Sequence, residues 1–147
     1  MNSITVWHFA AEKLRDGSLH PKAGDLLPNI TNPEPCKRGW HGSASILDAL
    51  SYGPGPYLAK RILYNPIQHG VPVDKYCAGK GKQLTDYRDV SDVLSRFARY
   101  CALTALRVYA PAALRATSNL NLITHADRLA SLSDGCDLNA AYHAARA

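Results

Sequence analysis

Two histidines stand beside tryptophans in the first part of the chain, His8 in Val6-Trp7-His8-Phe9 and His41 in Gly39-Trp40-His41-Gly42-Ser43. An imidazole changes charge near neutral pH, so it can act as acid, base or hydrogen-bond donor, and a neighbouring aromatic ring can stack on a ligand. Spacing alone assigns neither histidine a task. The chain has no His-Glu-x-x-His pair, no Gly-x-Ser-x-Gly elbow and no complete phosphate-binding loop. Read as residues only, both are hydrogen-bonded structural groups unless a second feature joins them. Gly79-Lys80-Gly81-Lys82 lacks the frame of a phosphate loop and reads as a solvated basic turn. Tyr52, Tyr57 and Tyr64 are candidates for the wall of a pocket or of the core. The cysteines at 36, 77, 101 and 136 are too far apart for paired zinc ligands and too few for a secreted disulfide scaffold. Free thiols and no metal site are the expectation.

These side chains need elements to position them. Ile4, Val6 and His8 alternate with Thr5, Trp7 and Phe9, which predicts a half-buried first strand. Asp16-Gly17 marks a turn, and the density of Pro, Gly and Asn over 20–35 predicts a long surface loop, functional or poorly ordered. Ser45 with Asp48 three residues on resembles a capping box and predicts a helix over 46–52 that buries Ile46, Leu47, Ala49 and Leu50. Gly53-Pro54-Gly55-Pro56 must end that helix. Residues 57–64 alternate again, with Lys60, Ile62 and Tyr64 on one side and Arg61 and Leu63 on the other, so a strand is predicted there. A shorter strand is predicted over 73–78, and brief pairing over 84–87.

Composition changes near residue 88: every lysine, eight of nine prolines and nine of ten glycines precede it. The rest is rich in alanine and leucine and reads as helices. The fold class expected is therefore α+β, a small mixed or antiparallel sheet domain over 1–87 followed by an all-α C-terminal part over 88–147. Ser91 should cap a helix over 92–110 whose stripe Val93, Leu94, Phe97, Cys101, Ala105 and Val108 faces a core. Further helices are predicted near 111–117, 120–132 and 137–146, packed on the sheet domain or on a partner. Length and 46% hydrophobic content fit one core, and a net charge of +5 permits a nucleic-acid partner without demanding one. Neither a membrane span nor a basic, apolar leader is legible, so a cytoplasmic protein is expected.

Several of these motifs together resemble a domain family of unknown function found in phage and bacterial proteins. They are Trp-His-Phe at 7–9, Asp16-Gly17, Cys36-x-x-Gly39-x-His41-x-Ser43, and Leu47-Asp48-Ala49-Leu50-x-Tyr52-x-Pro54-Gly55, followed by an alternating strand and Asp74-Lys75. In that family the histidine segment usually reads Gly-Leu-His-Ala-Ser. The Arg- and Ala-bearing segment 97–103 is similar too, and the resemblance covers residues 4–105.

The chain also resembles, more weakly, the ADP-ribosyltransferase fold of the poly(ADP-ribose) polymerases. In that likeness His8 stands at the first histidine, Gly39-Trp40-His41 at the second motif, residues 48–52 on the helix and residues 58–63 on the following strand. It implies a pocket in which histidine bonds the nicotinamide ribose, a ring stacks on nicotinamide and a carboxylate stabilises the oxocarbenium ion. His8 and His41 would then be catalytic, and Trp7, Trp40, Ser43, Tyr52 and Tyr57 would line the pocket or bind the cofactor, NAD. Phe9 and Ala10 replace the glycine and hydroxyl of the first motif, and no glutamate follows Glu34, so Asp74 or Asp86 would have to serve. The scaffold expected is degenerate. RNA 2'-phosphotransferases, which share the fold, use basic and histidine side chains instead, and Lys75, Lys80 or Lys82 could contribute in that way.

Two functions are therefore expected from different classes. In one, the chain is a phage-type accessory or anti-defence protein of the bacterial host cytoplasm, for example a CRISPR-type inhibitor. It needs no cofactor and binds a host protein or nucleoprotein complex, with Lys80, Lys82, Arg96 and Arg99 as a basic contact surface. In the other, it is an ADP-ribosyltransferase-like or RNA 2'-phosphotransferase-like enzyme that uses a nicotinamide nucleotide. The first keeps a transferase-like scaffold with a degraded pocket. The second predicts that His8 and His41 share a cleft.

Overall fold

A computed structural model describes residues 2–109. The described residues belong to two compact units, one ending at Ser91 and one beginning at Asp92. In the first unit β1 (Ser3–Ala10), β2 (Leu26–Leu27), β3 (Trp40–Gly42), α1 (Ile46–Ser51) and β4 (Tyr57–Tyr64) follow in order. After them come β5 (Ile67–His69), β6 (Lys75–Ala78), β7 (Lys80–Gln83) and β8 (Arg88–Asp89). All pairing is antiparallel: one sheet runs β1-β4-β7-β2 with β8 also on β4, and the other runs β3-β6-β5. This is an α+β domain. The segments predicted as helices beyond residue 110 lie outside the described residues.

The period-two pattern of β1 and β4 sets the register. Val6 stands opposite Arg61 and His8 opposite Ala59, while Ala59, Arg61 and Leu63 alternate as the buried face of β4. Because side chains alternate across a strand, Val6, His8, Ala59, Arg61 and Leu63 share one face of the sheet. Val6, Leu63 and Ala78 form the buried core cluster, with Ile4, Trp40 and Tyr76 packed against it. The second sheet thus supplies the cover for that face. Full burial of side chains such as Val6 and Leu63 contributes roughly 1.5–3 kcal/mol each.

The two sheets join at one point. Trp7 and Ser43 exchange backbone hydrogen bonds of 2.8 and 3.0 Å, which draws β3 alongside β1 and with it the second histidine segment towards the first. The segment over 20–35 is tied down rather than loose: it contains β2, Ile30 donates to the Gly79 carbonyl at 2.8 Å, and the Trp40 indole donates to the Pro28 carbonyl at 2.8 Å. Gly79 sits where β6 turns into β7, and a Cβ there would come within 2.2 Å of the Ile30 carbonyl oxygen. Only glycine lets those backbones approach.

Several local expectations need correction. The basic turn over 79–82 is strand β7, in which Gly81 and Gln83 are buried and Lys80 is exposed. Short strands β3 and β5 form where no element was predicted. Helix α1 forms with Ser45 Oγ accepting from the Leu47 and Asp48 amides, but it buries Ala49 and leaves Ile46 and Leu47 exposed. Six residues make under two turns and present a correspondingly narrow buried stripe.

Helix α2 (Ser91–Thr104), which belongs to the second unit from Asp92 on, passes into a π-helical turn, Ala105–Tyr109. Ser91 is its first residue, and its amide and hydroxyl both bond the Asp89 carboxylate. Val93, Phe97 and Val108 of the predicted core stripe are exposed, and Leu103 is the buried hydrophobic residue of α2. No described helix is long and apolar enough to cross a membrane.

Overpacking at Gly79 and loss of the α1 cap give separable stability effects. Gly79→Ala is expected to destabilise the fold by about 1–3 kcal/mol, and Ser45→Ala by about 1 kcal/mol. Urea unfolding of each variant checks this. A Gly79→Ala midpoint equal to that of the parent chain would contradict the close approach to Ile30.

Candidate functional site

His8 from β1 and His41 from β3 border one cavity of about 690 Å³ in the first unit, together with Trp40, Tyr52, Lys75 and Cys36. The Trp7–Ser43 bridge brings them together, because it fixes β3 one step from His8. Gly39, with a backbone angle φ of 132°, admits the chain to β3 at a point where a Cβ would meet the Cys77 sulfur at 2.6 Å. The common cleft required by the transferase-like expectation is therefore present.

Behind His8 stands a group that the sequence reading passed over. Tyr87 Oη lies 2.7 Å from His8 Nδ1 and accepts a hydrogen bond from Arg61 Nη2. The His20 ring stacks on Tyr87 with centroids 4.1 Å apart and an interplanar angle of 25°, and His20 Nε2 donates to the Ala11 carbonyl at 2.9 Å. Arg61 is 1% exposed, and its guanidinium carbon lies 5.4 Å from the Trp40 ring centroid and 6.0 Å from that of Tyr87. Among the described residues no carboxylate stands within ion-pair distance of it; the ion pair present joins Lys37 to Glu34 at 2.7 Å. Burial lowers the Arg61 pKa from its usual value, and the Tyr87 phenol partly offsets this.

The electrostatics follow from burial among cations. Burial pushes His8 well below its ordinary value of 6.5, and the charges of Arg61, His41, His20 and Lys75 push the same way. His41 is lowered first by burial and then by Lys75, while the carbonyls of Glu34 and Gly39 resist. Burial raises Tyr87 against the pull of Arg61. His8 and Tyr87 are consequently both uncharged at neutral pH. His41 Nε2 is buried and makes no hydrogen bond.

Across the cavity Lys75 Nζ lies 3.7 Å from the Tyr52 ring centroid, a cation–π contact, and 3.7 Å from Cys36 Sγ, which is also 3.7 Å from His69 Nε2. Tyr52 donates to Asp74 Oδ2 at 2.6 Å, and that bond pushes its phenol up to about 12. Asp74 thus reaches the cavity edge through Tyr52. Asp86 does not: it accepts from the Ala23 amide at 2.9 Å and borders a separate depression.

The remaining expected residues divide. Trp40, Tyr52 and Ser43 line the cavity, with Ser43 fully buried at the bridge. Trp7 borders it, yet its ring lies 4.2 Å beneath Lys60 Nζ. Tyr57 is not in the lining and packs on His20, ring centroids 5.4 Å apart. Lys80 and Lys82 stand on β7 in the first unit, whereas Arg96 and Arg99 stand exposed on α2 in the second. Arg61 carried a sequence signal, since it occupies an inward position between Ala59 and Leu63 on an alternating strand. Tyr87 carried none, because its partner is 79 residues away.

Among the described residues no group of three His, Cys, Asp or Glu is placed to hold a metal ion. Cys36, Cys77 and Cys101 are free thiols.

The lowered histidines imply a pH dependence whose sign is fixed. Between their folded pKa values and 6.5 the unfolded chain binds more protons, so stability is full above about pH 6.5 and falls as the pH drops below it. Asp16 and Asp89, lowered by hydrogen bonds from Ser18 and Ser91, add their loss only at more acidic pH, around and below 3.8. Urea unfolding between pH 7 and 5 should show the fall, and His8→Gln should flatten it. Equal slopes in the two proteins would remove His8 as its source. No family model, no curated protein and no solved structure matches the chain.

Proposed function

We propose that the protein acts by binding, and that its first unit holds the phosphate-bearing end of a nucleotide or RNA, free or within a nucleoprotein complex. The observation that carries this reading is the meeting of His8, His41 and Lys75 on a single cavity with Trp40 and Tyr52. Arg15 and Lys37 also border it, and Asp16 is the carboxylate of the lining. Asp16 is already bonded by Ser18 Oγ at 2.6 Å. A wall of donors and cations suits phosphoryl oxygens, which accept only, and flat rings suit a base.

The same lining supports one chemistry over the other. Cleaving the bond to nicotinamide develops positive charge on the ribose, which a carboxylate must stabilise, whereas holding or moving a phosphoryl group develops negative charge, which donors stabilise. The chain has no glutamate after Glu34, and Asp74 is engaged by Tyr52. Capture of phosphate is thus favoured over NAD cleavage. Set beside the resemblance to phage domains, such a pocket fits an accessory protein that engages a nucleoprotein complex through an exposed nucleotide.

Calorimetric titration with ATP, NAD and adenosine tests the reading. ATP and NAD are expected to bind, adenosine at least about tenfold more weakly, and added salt to weaken the first two. Lys75→Ala should cost about 10- to 100-fold in ATP affinity, the value of one charge-assisted hydrogen bond. Equal affinity for ATP and adenosine, or no heat with any of the three, would exclude a phosphate site.

A further inference from the structure

The donors and acceptors around Tyr87 can be counted one proton at a time. Arg61 has N–H donors and no acceptor, so Tyr87 Oη accepts from it. The phenol carries a single proton, and its other hydrogen-bonded neighbour is His8 Nδ1 at 2.7 Å. The arrangement that leaves the phenol proton with a partner places it between Oη and Nδ1, with Nδ1 as the acceptor. A neutral imidazole that accepts at one nitrogen carries its proton on the other. His8 Nε2 makes no hydrogen bond among the described residues, and the His8 side chain borders the cavity.

We infer that Tyr87 is a positioning residue which, anchored by Arg61, fixes His8 as a neutral Nε2–H donor and so selects ligands that present an acceptor oxygen at that point. This rests on the reading of the cavity as a phosphate site and makes it narrower: the ligand class is one with a phosphoryl oxygen at His8. An amide nitrogen or a cation is refused there, because two donors would face each other. His8 also cannot take a proton from the ligand through Nε2, which already holds one. The burial that lowers His8 and raises Tyr87 keeps both groups in the charge states the relay needs. His20, stacked on Tyr87 and tied to Ala11, holds the phenol ring in plane with its task.

Long-range proton–nitrogen correlation spectra of the ligand-free, nitrogen-15 histidine-labelled protein test this at pH 7, with His8→Gln assigning the resonance. The result expected is an Nε2–H tautomer whose Nδ1 resonance lies at the position of a hydrogen-bonded acceptor. In Tyr87→Phe that Nδ1 resonance should move to the position of a free acceptor, and ATP affinity should fall about three- to tenfold, as for one lost neutral hydrogen bond. An Nδ1–H tautomer in the parent protein overturns the relay, and so does an unmoved Nδ1 resonance in Tyr87→Phe. A moved resonance with unchanged ATP affinity overturns the selection of ligand. The parent spectrum decides the tautomer even where Tyr87→Phe does not fold. Absence of ATP binding to the parent protein defeats the phosphate reading and the ligand selection together, while the spectra still judge the relay separately.

Discussion

Arg61 is a cation removed from water on the inward face of the central strand, and among the described residues no carboxylate neutralises it. Burying such a charge costs several kcal/mol in effective terms unless the surroundings replace its hydration. What replaces it here is the oxygen of Tyr87 and the faces of the Tyr87 and Trp40 rings. Each of these compensating groups is also part of the cavity or of the wall behind it. Trp40 must lie flat beside the guanidinium, and its indole nitrogen is accordingly pinned to Pro28. Tyr87 must bring its oxygen inward, and the segment leading to it is held by Thr85, whose carbonyl accepts from buried Gln83 and whose hydroxyl accepts from the Lys60 amide. The need to solvate one charge thus sets the positions of several residues at the site.

Burial first, and then the same charge, set the state of His8. Next to a cation that cannot lose its proton, protonating a buried imidazole is doubly unfavourable, through desolvation and through repulsion. His8 is accordingly neutral without any partner designed to neutralise it. His41 is less buried, is faced by Lys75 rather than chiefly by Arg61, and keeps a nitrogen without a hydrogen bond. Two imidazoles with different surroundings on one cavity have different roles open to them. His8 is the one fixed as a donor.

Much of this scaffold was legible. The alternation of residues 3–10 and 57–64 gives β1 and β4 directly, and Ser45 marks the start of α1 where its hydroxyl does cap the helix. Of the short strands, β6 falls within the one predicted over 73–78, whereas β2, β3, β5 and β8 were not legible, because two or three residues carry too little pattern to be separated from a turn. β7 was misread for a specific reason. Its inward positions are Gly81 and Gln83 rather than apolar residues, and glycine is required because a Cβ at 81 would come within 2.5 Å of the Ile62 carbonyl oxygen. Close packing of backbone against backbone is silent in a hydrophobicity pattern. Of the site, the two histidines and Trp40 could be chosen from motif likeness, and Arg61 from its inward place on β4. Tyr87 becomes meaningful only when the sheet brings it to His8.

The arrangement also limits what chemistry the cavity can host. A site that generates an oxocarbenium ion must oppose positive charge with negative charge, yet this one surrounds His8 with the charges of Arg61 and Lys75 and engages Asp74 with a phenol. NAD cleavage here would require both a free carboxylate and less cationic charge behind the histidine. Removing that charge means removing Arg61, which Tyr87, and through it His8, is arranged around. The fold therefore ties the geometry of His8 to an electrostatic sign, and that sign favours a ligand which brings negative charge with it.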